Sequence, residues 1–306
     1  MVVVFGPTAS GKTAVAVELA ELLGAEIVTA DSMQLYAELP ILTNQPTLEE
    51  ARRVPHHLVG VVDPSTTFSV AQYASLAQRE IDAILVRGLR VVVEGGSGLY
   101  VRAALGGLSF GPPPDAALRA RLQRRLQDEG PAALRAELAR RDPATAAVVD
   151  LANPRRVARA LEAVLITGGP VDPAGRAALW RPGTRYEHVV IALDAEREWL
   201  RPRIDERVDW MVAAGALEEV RDARARGPLS TTLQQAIGVR EIAAHLDGRM
   251  TVEEAAAQMK TRTRRLVRRQ TTWMRKLPAA ARIAVTGRPP RATAERIVAR
   301  LAGRTP

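Results

Sequence analysis

The 306-residue chain contains no cysteine, which removes disulfides, thiolate metal sites and cysteine nucleophiles together. Any metal must therefore use oxygen or imidazole ligands. It also lacks a run of apolar residues long enough to span a bilayer, and its opening residues, MVVVFGPT, have neither a basic leader nor a long apolar segment. A cytoplasmic protein with no membrane association is expected. Lysine is nearly absent too: only Lys12, Lys260 and Lys276 occur among 43 basic residues. In so arginine-biased a chain, Lys12 marks a place that needs a compact ammonium rather than a planar fork.

What the chain does have is a 47% hydrophobic composition, enough to bury a large domain and a smaller one. It also carries a net charge of +9. That charge is uneven, at −4 over residues 1–110, +5 over 111–185 and +8 over 186–306. General arginine inflation would be more uniform, so a polyanion-binding surface in the last two-thirds is expected.

Residues 2–5 form a short apolar run, followed by the glycine-rich GPTASGKT and then by helical composition from Ala14 to Leu23. A β-branched run, Ile27 to Thr29, ends at Asp31; Ser69 to Val86 reads as an amphipathic helix and Arg90 to Val93 as a buried strand. This alternation predicts an α/β fold, a P-loop parallel-sheet core with helices on both faces. GGLSFGPPPD, around Gly106 to Pro114, breaks it, and helices are expected over Ala116–Asp128, Ala132–Arg140 and Arg155–Ile166. A strand resumes at Val189. The expected organisation is a core domain of residues 1–110 and 186–306 with a helical insertion domain, 111–185, that moves as a unit.

Farther on, Val252 to Met274 reads as a long helix with an apolar face of Val252, Ala256, Met259, Leu266 and Trp273. Its other faces hold Lys260, Arg262, Arg264, Arg265, Arg268 and Arg269 with no acid between them, which favours phosphate binding over a solvated face.

Gly6-Pro7-Thr8-Ala9-Ser10-Gly11-Lys12-Thr13 matches GxxxxGK[ST] between a predicted strand and helix, the context that pattern requires. Backbone N–H groups and the helix N-terminus would face an anion, Lys12 would neutralise phosphate oxygens, and the Thr13 hydroxyl could ligate Mg²⁺. A diphosphate or triphosphate ligand is expected, and the motif leaves open whether a nucleotide such as ATP carries it. Val91-Val92-Val93-Glu94 is the nearest approach to the strand-ending acid of nucleotide hydrolases. Asp31 is the other acid expected at the carboxyl edge of the sheet, although an Asp-Ser pair also reads as a helix cap. His56 and His57, adjacent on an extended segment, point to opposite faces and suit a structural role better than a metal site. Most of the four tryptophans, Trp180, Trp199, Trp210 and Trp273, are expected in the core rather than stacked on bases.

Beyond the phosphate loop, Ala30-Asp31-Ser32-Met33-Gln34-Leu35-Tyr36, Pro55-His56-His57-Leu58 and Asp63-Pro64 follow in order, then Glu94-Gly95-Gly96-Ser97-Gly98-Leu99-Tyr100 and Pro154 to Glu162. With Arg203 to Arg207, Gln235 to Arg240 and Arg269 to Trp273, this series closely resembles the bacterial tRNA dimethylallyltransferases, or tRNA isopentenyltransferases, over nearly the whole chain. The resemblance implies prenyl transfer from dimethylallyl diphosphate to the exocyclic amine of the adenosine 3′ of the tRNA anticodon. It implies that the loop cradles the donor diphosphate with Thr13 on Mg²⁺, that Asp31 is the general base, and that Arg207 helps hold the diphosphate. It further implies tRNA contacts from Asp31, Ser32, Met33 and Gln34, from Ser97 and Arg119, from Arg155, Arg156, Val157, Ala158 and Arg159, and from Gln235, Ala236, Ile237, Gly238, Val239 and Arg240. The partners expected are the anticodon stem-loop of tRNA and dimethylallyl diphosphate, bound by a monomer.

The chain departs from the family at Ser97, where threonine is commoner, and at Leu42 to Pro46, which lacks the usual lysine. Its first strand also begins almost at Met1, and it has no cysteine-histidine zinc module. Three other readings compete: an adenylate-directed isopentenyltransferase, a P-loop nucleotide kinase whose lid is the insertion, and a tRNA-binding module without activity. The cationic insertion and the arginine-rich helix favour tRNA over a free nucleotide. Retention of Lys12, Thr13, Asp31 and Arg207 favours an active enzyme.

Overall fold

The computed structural model describes residues 1–108, 110–113, 115–169, 183–277 and 281–303. The chain divides into two compact units, Met1–Gly106 with Gly183–Pro306, and Gly107–Pro182.

The first unit is built on a six-stranded, all-parallel sheet in the order β3-β2-β4-β1-β5-β6. The strands are β1 (Val2–Phe5), β2 (Ala25–Thr29), β3 (His56–His57), β4 (Arg90–Gly95), β5 (Val189–Asp194) and β6 (Ala281–Ala284). β1 is buried at every position, the mark of a parallel strand covered on both faces. Val3, Val4, Val92, Ile191 and Leu193 are fully buried. Each such side chain contributes roughly 1.5–3 kcal/mol. On one face, α1 (Lys12–Leu23) packs with α14 (Pro290–Ala302), Val15 and Leu19 sharing a cluster with Ala294 and Ile297. α1 begins after Gly11 and ends at Gly24, both left-handed.

Short α2 (Pro40–Thr43) and α3 (Leu48–Arg53) lie between β2 and β3; Glu219 caps α2, accepting from the Ile41 and Leu42 amides at 2.7 and 2.9 Å. Ser69 and Gln72 form a capping box at the head of α4 (Val70–Val86), which fixes the helix start. α5 (Gly98–Ala104) follows β4.

The second unit holds α6 (Ala116–Asp128), α7 (Gly130–Arg141), α8 (Pro143–Val148) and α9 (Pro154–Thr167) around Leu122, Leu134, Leu138, Val157 and Leu161. Asp115, Asp142 and Asn153 cap three of these helices, and Pro143 and Pro154 open two in the first turn, where a missing N–H costs nothing. The chain returns to the first unit through β5, α10 (Arg197–Ala213), α11 (Ala216–Arg226), a 3₁₀ turn Leu233–Gln235, α12 (Val239–Leu246) and α13 (Val252–Lys276).

The seam of α13 differs from the expected apolar face. Ala255, Met259, Thr263, Val267, Gln270 and Met274 are buried, while Ala256, Leu266 and Trp273 sit half-buried beside them. Thr263 and Gln270 are polar, so apolar periodicity could not reveal a seam they complete. Among the described residues, no helix is long and apolar enough to cross a membrane.

Candidate active site

The site stands at the carboxyl edge of the sheet, where β1, β2 and β4 all end. Parallel registry, Val4 beside Glu94 and Thr29 beside Glu94, brings the phosphate loop, the Asp31 turn and the β4–α5 turn together there.

The loop leaves β1 at Gly6. Ala9 takes a positive φ of 67° and Gly11 one of 81°, so the backbone curls inward before α1 starts. Three distant groups hold it. Gly6 N–H donates to Gly95 O at 3.3 Å. Thr8 N–H donates to Gln270 Oε1 at 2.9 Å, and Arg203 Nε donates to the Ala9 carbonyl at 3.1 Å. Arg203 also stacks over Trp199, 4.4 Å from its ring centre. Gly96 and Gly98 are glycines for a steric reason, since a Cβ there would stand 2.4 Å from Gln270 Nε2 and 2.1 Å from the Trp273 ring. Thus α13 presses directly on both loops of the site.

Lys12 and Thr13 meet Glu94. The Lys12 ammonium is 3.5 Å from Glu94 Oε1, and the Thr13 hydroxyl donates to the same oxygen at 3.1 Å. Glu94 is only 2% exposed. Beside this group lies a cavity of about 430 Å³ whose wall includes Lys12, Thr13, Arg203, Arg207 and Trp210 together with two acids, Glu50 and Glu206. Helix-start amides, one ammonium and two guanidiniums around a cavity can hold a diphosphate. Burial pulls the Arg207 guanidinium below its ordinary value while Asp31 and Glu94 raise it, so it stays a cation between the two acids. A hydroxyl and a carboxylate beside that cavity are the hard oxygens a divalent cation takes. The described residues thus fit a metal.

Asp31 follows β2, and its Oδ1 accepts the Met33 amide at 2.9 Å, which closes the turn. Its other carboxylate oxygen accepts no hydrogen bond among the described residues. Nearby, burial, Tyr36 and Asp31 push the Tyr100 phenol up to about 12, and Tyr100 packs 4.7 Å from Tyr73. Ser97 sits at the start of α5 but makes no capping bond, so its hydroxyl has no helix-ending task. Ser32 and Met33 are half-buried, whereas Gln34 is 2% exposed and donates to Asn44 O at 2.7 Å.

Of the remaining residues nominated for RNA, Gln235 and Arg240 are exposed, Ile237 is half-buried, and Ala236, Gly238 and Val239 are buried. Gly238, at φ 97°, is packed against Leu42, where a Cβ would come within 2.3 Å. In the second unit, Arg155 and Arg156 are exposed, Ala158 is half-buried and Val157 lies in the core. Arg119 and Arg159 converge on buried Glu162, at 3.1 and 2.8 Å.

Two expectations need correction, and one element was missed. The basic run on α13 is not uncompensated: Lys260 pairs with Asp209 at 2.6 Å, Arg262 with Glu241, and Arg264 with Asp205 at 2.5 Å. Those acids come from α10 and α12, invisible to an inspection of one helix. Among the described residues, only Arg265, Arg268 and Arg269 of the run remain exposed without an acid. Trp210 is 54% exposed on the cavity wall rather than in the core; Trp180 lies outside the described residues. α8 was not expected, because six residues opening on proline carry too little periodicity. The histidines take structural places: His57 joins Glu26 at 2.6 Å and Glu80 at 3.1 Å, and His56 contacts the Val54 carbonyl at 2.8 Å.

Residues that motif reading left unassigned are Arg203, Trp210, Gln270 and Trp273. Glu94, by contrast, was already marked as the acid that closes an apolar strand. No local signal pointed from Gln270 to the phosphate loop, 262 positions away.

A sequence model of the IPP transferase family matches residues 34–277. The tRNA dimethylallyltransferase of Geobacter metallireducens is 43% identical over 90% of this chain and 89% of its own length. That of Streptomyces coelicolor is 44% identical over 91% and 88%. Among solved structures, the full-length tRNA isopentenylpyrophosphate transferase of Bacillus halodurans superposes with a TM-score of 0.73 at 36% identity, covering 99% of this chain and 95% of that one. A eukaryotic dimethylallyltransferase acting on tRNA superposes with a TM-score of 0.80 at 26% identity, over 94% and 74%.

Proposed function

The chain belongs to the IPP transferase family, and from that premise we propose how its site works. The protein is a transferase that moves a dimethylallyl group from dimethylallyl diphosphate to the exocyclic amine of the adenosine 3′ of the tRNA anticodon. The products are N6-isopentenyladenosine and diphosphate. The observation that carries this reading is the meeting of an anion-binding loop, a carboxylate and a half-buried cation at one sheet edge: Lys12 and Thr13, Asp31, and Arg207.

An adenine amine is a weak nucleophile because its lone pair is delocalised into the ring. Asp31 accepts the amine proton as the new C–N bond forms, using the oxygen that the Met33 turn leaves available. The bond from the prenyl carbon to the diphosphate oxygen breaks, and its electron pair leaves with the diphosphate. The amides at the head of α1, Gly11 to Thr13, face that developing charge, and Lys12 and Arg207 supply positive charge already in place. The Thr13 hydroxyl would hold a Mg²⁺ ion, which when bound would supply charge neutralisation at the leaving group. Ser97, Arg240 and the exposed arginines of the second unit, Arg155 and Arg156, bind the RNA. The adenosine leaves its stack to enter the site. A cytoplasmic monomer carries this activity.

Incubation with labelled dimethylallyl diphosphate and an anticodon stem-loop, followed by nucleoside analysis, tests the reading. Labelled N6-isopentenyladenosine is expected, and label on free adenylate alone would assign a nucleotide acceptor instead. Lys12→Ala should abolish transfer by losing the donor while stem-loop affinity changes little.

A further inference from the structure

We propose that Glu94 is a metal-shell residue, which together with the Thr13 hydroxyl supplies the protein oxygens for a divalent cation accompanying the donor diphosphate. This rests on the reading that Gly6 to Thr13 bind a diphosphate.

Glu94 lies on β4, hydrogen-bonded to β1, with Val4 as its registry partner, so its side chain stands beside the loop that leaves β1. It is 2% exposed, and one oxygen, Oε1, faces both Lys12 Nζ and Thr13 Oγ1. A buried carboxylate is costly to keep unless it is paired. Its neighbours here are the two side chains that the phosphate loop offers to an anion.

That creates an electrostatic conflict. A diphosphate that reaches Lys12 and Thr13 comes within a few bond lengths of Glu94, and like charges in a poorly hydrated site repel strongly. Lys12 cannot fully neutralise both. A divalent cation between carboxylate and diphosphate turns the repulsion into two attractions, and Mg²⁺ typically takes one or two protein oxygens with phosphate oxygens rather than a full protein cage. The Thr13 hydroxyl donates its proton to Glu94, which directs its lone pairs elsewhere and leaves them free to ligate. The competing role, in which Glu94 only compensates and positions Lys12, predicts a different dependence on metal.

Binding of inorganic diphosphate, measured by calorimetry with Mg²⁺ and again with EDTA, separates the two. In the wild-type chain the metal should tighten binding strongly. In Glu94→Gln, nearly isosteric and uncharged, that enhancement should fall by about 10-fold or more, while binding in EDTA is unchanged or tighter because the repulsion is gone. A positioning role predicts the reverse, weaker binding in EDTA with the enhancement intact, and that result would overturn the inference. Circular dichroism monitors folding. If the glutamine variant does not fold, Glu94→Asp carries the comparison: its retracted carboxylate should lose part of the enhancement without weakening binding in EDTA, and an unchanged enhancement would count against the metal role. Wild-type protein that binds no diphosphate under either condition would instead remove the reading of the loop itself.

Discussion

Asp31 divides its two oxygens between two tasks, one closing the turn through the Met33 amide and one available to the substrate amine. Asp31→Asn keeps the turn, since an amide oxygen accepts the same N–H, and removes only basicity. A rate loss on the order of 10²-fold to 10⁴-fold is expected in single-turnover transfer, with folding and substrate binding near normal. A fully active variant would reduce Asp31 to a turn residue. On β3, at the edge of the sheet, His56 presents a different residue-scale expectation. Burial lowers its pKa, opposed by the Val54 carbonyl, Glu94 and Glu50 and assisted by His57. The folded state therefore prefers neutral imidazole, the unfolded chain binds more protons, and stability rises with pH. The loss should begin as pH falls through about 6.5, the unfolded value. Urea midpoints at about pH 5.5 and 7.5 should differ less in His56→Gln than in the wild type; an equal difference in both would assign the acid sensitivity elsewhere.

At the scale of elements, α13 is the part whose role was least legible. Contiguous signals were readable: GPTASGKT lies between its own strand and helix, and the apolar runs of β1 and β4 announce strands buried on both faces. The α/β parallel-sheet class follows from those runs. The seam of α13 was misread because Thr263 and Gln270 sit in it, and its arginines looked unpaired because Asp205, Asp209 and Glu241 belong to other helices. Gln270 makes a test of the element. Gln270→Met preserves volume but strips the acceptor from the Thr8 amide, and an unsatisfied buried amide costs about 1–3 kcal/mol. Diphosphate affinity should fall roughly 5-fold to 100-fold by that cost while RNA affinity is retained. Equal weakening of both ligands would mean that the helix as a whole had shifted.

For the molecule as a whole, the surplus charge matters through its distribution. Beside the paired cations of α13, Arg265 and Arg268 line an open groove of about 420 Å³ with Arg197 and Arg201 of α10, over a floor containing Leu200 and Val267. If tRNA phosphates lie there, Arg265→Ala with Arg268→Ala should reduce the slope of log affinity against log salt by about one unit for each phosphate that is no longer neutralised. Diphosphate binding should not change. An unaltered slope would leave this groove outside the RNA footprint and rest recognition on Arg240, Arg155 and Arg156.

The bond between Thr8 and Gln270 also spans 262 positions of chain. The phosphate-loop residues leave the ribosome long before their anchor on α13, and α1 leaves long before its packing partner α14. Contacts this distant in sequence form late, after most of the chain's entropy has been surrendered. A nascent chain therefore carries the motif long before it carries the site, and the donor pocket becomes competent only once α13 has emerged.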